Sequence, residues 1–101
     1  MLFRSFRFEK LDVWQEALTL AKDVYAITNQ FPESERFGLM SQIRRAAVSI
    51  PANIAEGTSR TTDKDFARFV EIAYGSLMET ISHAFVARNQ QFLKPEDFER
   101  V

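Results

Sequence analysis

The sequence predicts an all-α protein with three long helices and the start of a fourth. Three observations lead to this prediction. Apolar residues recur at spacings of three and four along three long segments, as they do in amphipathic helices. Only three glycines and three prolines occur in 101 residues, so connections between helices must be few and short. An apolar fraction of 46% suffices for one core, and we therefore expect a single helical-bundle domain over residues 1–101.

The first helix is predicted from about residue 8 to residue 29. Its apolar stripe lies opposite a polar face, which is typical of a helix with one side in water. The predicted stripe consists of Leu11, Trp14, Ala17, Leu18, Ala21, Val24, Tyr25 and Thr28. Pro32 ends the segment because proline cannot donate the next backbone hydrogen bond and disfavours a helical residue before it.

The second helix is predicted over about residues 35–57, with Ser34 as its N-cap and Gly57 as the residue that ends it. Pro51 lies inside the pattern and should bend the helix. The predicted core stripe consists of Met40, Ile43, Ala47, Ile50 and Ile54. A second apolar strip beside it consists of Phe37, Val48, Pro51 and Ala55. Two apolar strips leave a narrow polar face, which favours a further protein contact on this helix.

The third helix is predicted over about residues 63–92, where Thr62 and Asp65 resemble a capping box. Its core face consists of Phe66, Val70, Ala73, Leu77, Ile81 and Ala84, and an adjoining strip of Phe69, Tyr74, Met78, Phe85 and Phe92. Gly75 and Ser76 in mid-helix predict close approach of a neighbouring helix, at the small residues of the second helix. Pro95 begins a fourth helix, and we expect it to be truncated because the sequence reaches only Val101.

Composition excludes several classes of protein. The formal net charge of −1 argues against a protein that coats nucleic acid by bulk charge. The absence of cysteine excludes disulfides and thiolate chemistry and suits a cytoplasmic protein. No apolar run approaches the roughly 20 residues that span a bilayer, so no membrane partner is expected.

Catalysis has little support in the sequence. His83 is the only histidine, and Glu79 lies one helical turn before it. A carboxylate-bridged metal site in a bundle needs two Glu-x-x-His pairs and further carboxylates, which this chain does not offer. We therefore expect no enzymatic activity, no metal and no cofactor.

Basic residues concentrate in the middle third of the chain. Residues 36–68 hold six basic and three acidic side chains, whereas both flanking thirds are acidic. This distribution predicts a patch that binds nucleic-acid phosphate. The candidate residues are Arg44, Arg45, Arg60, Lys64 and Arg68. The alternative is that Arg44 and Arg45 form ion pairs with Glu56 or with acids of an adjacent subunit.

A polar strip follows the second helix at spacings of three and four. It consists of Arg45, Ser49, Asn53 and Glu56. Polar groups on a helix need hydrogen-bond partners when they are buried. We therefore expect this strip to form a polar seam at a helix packing contact or at an interface. Gly75 and Ser76 are predicted to belong to the same contact. The alternative is a polar ligand surface.

Several separate motifs occur in order along the chain. They are LDVWQEA at 11–17, FPESE at 31–35, FGL at 37–39, QIRRAAVSIPANIAEGTSR at 42–60, DFARF at 65–69 and AYGSL at 73–77. Together they closely resemble the four-helix-bundle proteins encoded in intervening sequences of bacterial 23S ribosomal RNA genes. The accessory protein of diversity-generating retroelements is similar to that family.

The resemblance implies an up-and-down (antiparallel) four-helix bundle, with the fourth helix truncated in this chain, that assembles as a homopentamer without known enzymatic activity. It also makes RNA a candidate partner, although the retroelement relatives are basic and this chain is not. The resulting hypothesis is a non-catalytic oligomeric protein, an RNA-associated accessory or scaffold protein linked to a ribosomal RNA intervening sequence. The alternatives are a scaffold that binds only protein, such as another product of the same operon, and a selfish-element passenger of weak activity.

Overall fold

The computed structural model of the protein describes residues 6–101, and this part of the chain contains four α-helices and no strand. The helices are α1 (Asp12–Thr28), α2 (Leu39–Thr58), α3 (Asp63–Asn89) and the short α4 (Pro95–Phe98). Two 3₁₀ turns, Arg7–Lys10 and Glu33–Glu35, precede α1 and α2 respectively. The all-α prediction is confirmed. None of the helices described is long and apolar enough to cross a membrane.

Two helices begin four residues later than the sequence predicted. Leu11 is extended, with φ −83° and ψ 123°, so α1 starts only at Asp12. Ser34 lies within a 3₁₀ turn, and Gly38 is the N-cap of α2. A carboxylate supplies this cap, since the backbone N–H of Leu39 donates to Oε1 of Glu35 at 3.1 Å. The predicted Ser34 cap is therefore wrong.

The ends of α3 are set by local hydrogen bonds. At the start, Oγ1 of Thr62 accepts from the backbone N–H of Asp65 at 3.1 Å, as the capping motif predicted. At the other end, Gln91 adopts a positive φ of 63°. The N–H groups of Gln91 and Phe92 then donate to the carbonyls of Arg88 and Ala87, a Schellman arrangement that stops the helix at Asn89 rather than at residue 92.

The core lies around α2, which packs against both α1 and α3. One cluster of buried residues joins the end of α1, the first half of α2 and the end of α3; it contains Ala21, Val24, Ile27, Phe31, Leu39, Ile43, Ala47, Ala84, Ala87 and Leu93. A second cluster contains Ala17, Ile50, Ile54 and Ala73. The predicted stripe of α2 is therefore buried, apart from the half-buried Met40. Pro51 lies inside the helix and is buried.

The apolar stripe of α1 is rotated from its predicted position. Leu18 and Tyr25 are about half exposed, at 49% and 45%, whereas Ala17, Val24 and Ile27 are buried. The reason is that α1 packs mainly against α2, so it buries one narrow edge of its apolar face. The other edge remains on the surface.

The second apolar strip of α3 also lies on the surface. Its exposed members are Tyr74, Met78 and Phe85. Val70 is exposed beside them, so its predicted place on the core face is wrong; the four exposed fractions lie between 41% and 62%. At 100° per residue, these four positions form a continuous strip beside the buried face of α3. We call them the α3 apolar strip.

The close approach between α2 and α3 occurs at Gly57 and not at Gly75. A Cβ atom at Gly57 would lie 2.9 Å from Cβ of Phe69 and 3.0 Å from Cδ1 of Phe66. At Gly75 no heavy atom lies within 4 Å of the equivalent position. The prediction that α2 closely approaches Gly75 is therefore wrong for packing within the described chain. A role of Gly75 and Ser76 at an interface stays a prediction.

Candidate nucleic-acid interface

The five predicted phosphate-binding cations fall into two groups. Arg44 and Arg45 lie in the first half of α2, whereas Arg60 follows that helix and Lys64 and Arg68 lie on α3. At 1.5 Å per residue, the helix between Arg45 and Thr58 is about 20 Å long. The structure therefore does not bring all five together. We call Arg60, Lys64 and Arg68 the α3 basic group.

Arg44 is held in place by contacts with α1. Its Nε donates to Oγ1 of Thr28 at 2.8 Å. Its Nη2 donates to Oδ1 of Asn29 at 3.1 Å and to the carbonyl of Tyr25 at 3.3 Å. The guanidinium also lies 4.6 Å from the centre of the Tyr25 ring, within the range of a cation–π contact. None of these partners carries a negative charge, so the positive charge of Arg44 is positioned but not neutralised.

Arg45 is exposed and has no hydrogen-bond or ion-pair partner among residues 6–101. The proposed pairing of Arg44 or Arg45 with Glu56 does not occur within the chain. Glu56 instead accepts a 2.8 Å ion pair from Arg60. An Arg45–Glu56 pair is excluded by spacing alone, because eleven residues of one helix place the two about 16 Å apart.

A surface depression of about 390 Å³ adjoins these arginines. It is lined by Tyr25, Arg36, Phe37, Met40, Ser41, Arg44 and Arg45, and we call this set the arginine surface. Three arginines are among the lining residues, and no acidic residue of the described part of the chain is among them. Two acids lie on the preceding turn, where Glu33 pairs with Arg36 at 3.5 Å between exposed side chains and Glu35 caps α2.

Three members of the arginine surface were missed from the sequence as site residues: Tyr25, Arg36 and Phe37. Tyr25 and Phe37 were assigned to apolar stripes, yet Phe37 is 89% exposed. Gly38 was the available signal, because glycine is a favoured N-cap residue and a helix that starts after it leaves Phe37 outside the helical pattern. Arg36 then lies beside Phe37 in the same connection.

The α3 basic group carries less free charge than its composition suggests. The Arg60 guanidinium pairs with Glu56 and lies 4.7 Å from the centre of the Phe69 ring. Lys64 and Arg68 have no ion-pair partner in residues 6–101, and both are exposed. They lie one turn apart on α3, so they face the same way. Asp63 and Asp65 in the same first turn offset part of their field.

The polar strip of α2 is satisfied mainly by its own helix. Ser49 Oγ donates to the carbonyl of Ala46 at 2.7 Å, and Asn53 Nδ2 donates to the carbonyl of Ser49 at 2.7 Å. No buried side-chain nitrogen or oxygen lacks a partner in the described chain. These short-range bonds leave open whether the strip also contacts a second subunit, which stays a prediction.

His83 contacts Glu79, as the one-turn spacing suggested. Its Nε2 lies 3.3 Å from Oε2 of Glu79, and its side chain is 17% exposed. Among the residues described, no group of three or more histidine, aspartate or glutamate side chains is arranged to hold a metal ion.

The fold and this surface define a class, an all-α helical protein with a cationic and aromatic surface beside its second helix. The particular family follows from comparison with known proteins. The family model of the 23S rRNA-intervening sequence protein matches residues 9–101, and the chain belongs to this family. The resemblance inferred from the motifs is thereby confirmed. No curated protein matches the chain.

Proposed function

We propose that this protein is a non-catalytic, cytoplasmic accessory or scaffold protein that binds RNA and is linked to a ribosomal RNA intervening sequence. In this proposal its helices run up and down, and several copies form a homo-oligomer, a pentamer by the family resemblance. The observation that carries the proposal is the arginine surface, where three arginines and no acidic residue line one depression in the described part of the chain.

This arrangement suits phosphate for electrostatic reasons. Arg44 is fixed by neutral partners on α1, so its charge stays available for an anion. Arg45 is exposed and unpaired among residues 6–101, and Arg36 is 62% exposed with only a 3.5 Å contact to Glu33. Guanidinium groups bind phosphate oxygens in a bidentate manner, which adds geometry to charge. In an oligomer the surface would repeat, and repetition would raise the avidity for a long anion.

The α3 basic group is a second phosphate contact in this proposal. Lys64 and Arg68 supply its free charge, while Arg60 is shared with Glu56. Its contribution should be the weaker of the two, because Asp63 and Asp65 lie close by in sequence on the same helical turn. A strand that contacted both groups would follow the length of α2.

The test is a fluorescence-anisotropy titration of labelled RNA at several salt concentrations. The variant Arg36→Glu, Arg45→Glu should bind RNA more weakly than the wild type. Its plot of log K against log salt should also be shallower by about 1.4, since each lost phosphate contact on a single strand removes about 0.7. The matched control is Lys10→Glu, Lys22→Glu, which makes the same change of charge at exposed positions outside the arginine surface.

Two results would contradict the proposal. One is the absence of RNA binding by the wild type at low salt. The other is an equal loss of affinity in the arginine variant and in the lysine control, because that would reflect net charge and not a site. Light scattering on every variant excludes an indirect effect through the oligomer mass.

The alternative function is a scaffold that binds only protein. The α3 apolar strip favours it, because Val70, Tyr74, Met78 and Phe85 form an exposed continuous apolar surface of the kind that marks contact sites between proteins. Val70 and Tyr74 also line an apolar groove of about 150 Å³ with Val13, Ile50 and Ile54. The same strip serves self-association in the main proposal, so RNA binding is the property that separates the two.

A further inference from the structure

Phe37 is the most exposed large apolar side chain in the described structure, at 89%. It lies in the connection between the 3₁₀ turn Glu33–Glu35 and α2. A charged group lies near this ring, since the guanidinium of Arg36 is 5.5 Å from its centre. The fold does not bury this ring, so the packing of the single chain gives no reason for an aromatic residue here.

A second aromatic ring belongs to the same surface. Tyr25 on α1 is 45% exposed and also lines the arginine surface. Its ring has Arg44 against it at 4.6 Å, and three hydrogen bonds hold that guanidinium. The depression thus combines two accessible aromatic rings, three guanidinium groups and the hydroxyl of Ser41.

This combination fits a ligand with both planar aromatic groups and anionic groups. An unpaired nucleotide has both, since its base stacks on an aromatic ring and its phosphate binds arginine. A base inside a duplex has its faces covered by its neighbours and offers an aromatic ring nothing to stack on. A second protein chain is the competing occupant, because arginine, tyrosine, phenylalanine and methionine are enriched in protein interfaces. Three arginines without an acidic residue in the described lining favour the anionic ligand.

We infer that Phe37 is a base-stacking platform and that the arginine surface takes unpaired nucleotides of RNA. This inference rests on the proposed RNA-binding function and specifies the form of RNA that the site prefers. Phe37 contributes the stacking face, Arg36 and Arg45 contact the flanking phosphates, and Arg44 fixes the position of the Tyr25 ring. Because Phe37 is so exposed, its removal should leave the fold intact.

The experiment measures binding to a labelled oligouridylate of about 12 nucleotides, within the range of single-strand sites, and to an RNA duplex of similar length. Phe37→Ala should weaken binding of the single strand by about 5- to 100-fold, the loss typical of one base–aromatic stack, and leave duplex binding unchanged. Phe37→Trp should retain affinity. Its added tryptophan fluorescence should be quenched by the single strand, relative to wild type, whose only tryptophan is Trp14.

The control is Val86→Ala, which removes an apolar side chain of 44% exposure from α3 outside the α3 apolar strip. It should leave RNA affinity unchanged. If Phe37→Ala binds the single strand like wild type while Arg36→Glu, Arg45→Glu does not, the stacking inference is wrong and the proposed function stands. If the wild type binds neither RNA, both are wrong. If Phe37→Ala changes the oligomer mass, Phe37 is a contact between protein chains and the inference is also wrong.

Discussion

The Nε atom of Arg44 donates a 2.8 Å hydrogen bond to Oγ1 of Thr28, and this bond links α2 to the end of α1. Thr28 is completely buried, and its hydroxyl donates in turn to the carbonyl of Val24 at 2.7 Å. The hydroxyl therefore both accepts from a cation and donates to the backbone. Together with Asn29 and the carbonyl of Tyr25, this threonine fixes the direction of an arginine that lines the proposed RNA surface.

Replacement of Thr28 by valine should destabilise the protein by about 1–3 kcal/mol, because the part-buried Nε of Arg44 loses its acceptor while the shape of the side chain is kept. Urea unfolding followed by circular dichroism measures this loss. The control is Thr19→Val. Thr19 makes the same type of bond, to the carbonyl of Gln15 at 3.2 Å, but it is exposed and receives no cation. A similar loss in both variants would contradict the role assigned to Arg44.

Gly57 and Gly75 should respond in opposite directions to replacement by alanine. Gly57→Ala places a Cβ 2.9 Å from Cβ of Phe69, an atom that cannot move without its helix, so we expect a loss of about 1–3 kcal/mol from overpacking. Gly75→Ala meets nothing within 4 Å and should gain about 0.5–1 kcal/mol of helix propensity. Thermal unfolding of both variants at one protein concentration compares them directly.

A loss of stability in Gly75→Ala would have a different meaning. It would show that another chain packs closely against Gly75, since the described chain leaves space there. The oligomer mass of that variant, measured by light scattering, would then fall together with its melting temperature. The two glycines thus separate packing within the chain from packing between chains.

The two glycines also show what the sequence could and could not predict. Its periodicity predicts three long helices and the core stripe of α2. The stripe is predicted correctly because a helix with a neighbour on each side buries the apolar residues that its sequence pattern marks. The sequence does not tell which small residue meets a neighbouring helix, and it therefore suggested Gly75 where the contact is at Gly57. That choice depends on how α2 and α3 are oriented, which is a property of tertiary packing.

The candidate site shows the same limit. The charge distribution identified Arg44 and Arg45 correctly as members of a basic region. It did not identify Phe37, because that residue was assigned to an apolar strip of the second helix and was not expected to be exposed. It also grouped Arg44 with Arg60, although a length of α2 lies between them and Glu56 pairs with the latter. Spacing along the chain predicts which residues are neighbours on one helix. A surface formed by α1 and α2 can be predicted only when the packing of the two helices is known.

Self-association should depend on the α3 apolar strip. Tyr74→Glu places a charge at its most exposed member, at 62%, and should reduce the oligomer mass measured by light scattering after gel filtration. Val86→Glu is the control, because Val86 is 44% exposed on α3 but lies outside the strip. A wild-type mass near 11.7 kDa would contradict self-association altogether. Equal effects of the two variants would contradict the choice of surface.

Release of Arg60 from its ion pair should strengthen RNA binding. Arg60 Nη2 lies 2.8 Å from Oε2 of Glu56, and the stacking of its guanidinium on Phe69 keeps it in place without that partner. Glu56→Gln should therefore free one positioned cation and steepen the salt dependence by up to about 0.7, the value for one added phosphate contact on a single strand. Stability should change by only about 0.3–0.5 kcal/mol, because the pair is exposed and joins residues one turn apart. The control is Glu16→Gln, the same change of charge at an exposed position of α1. If both variants strengthen RNA binding equally, the gain comes from net charge, and Arg60 has no part in the RNA contact.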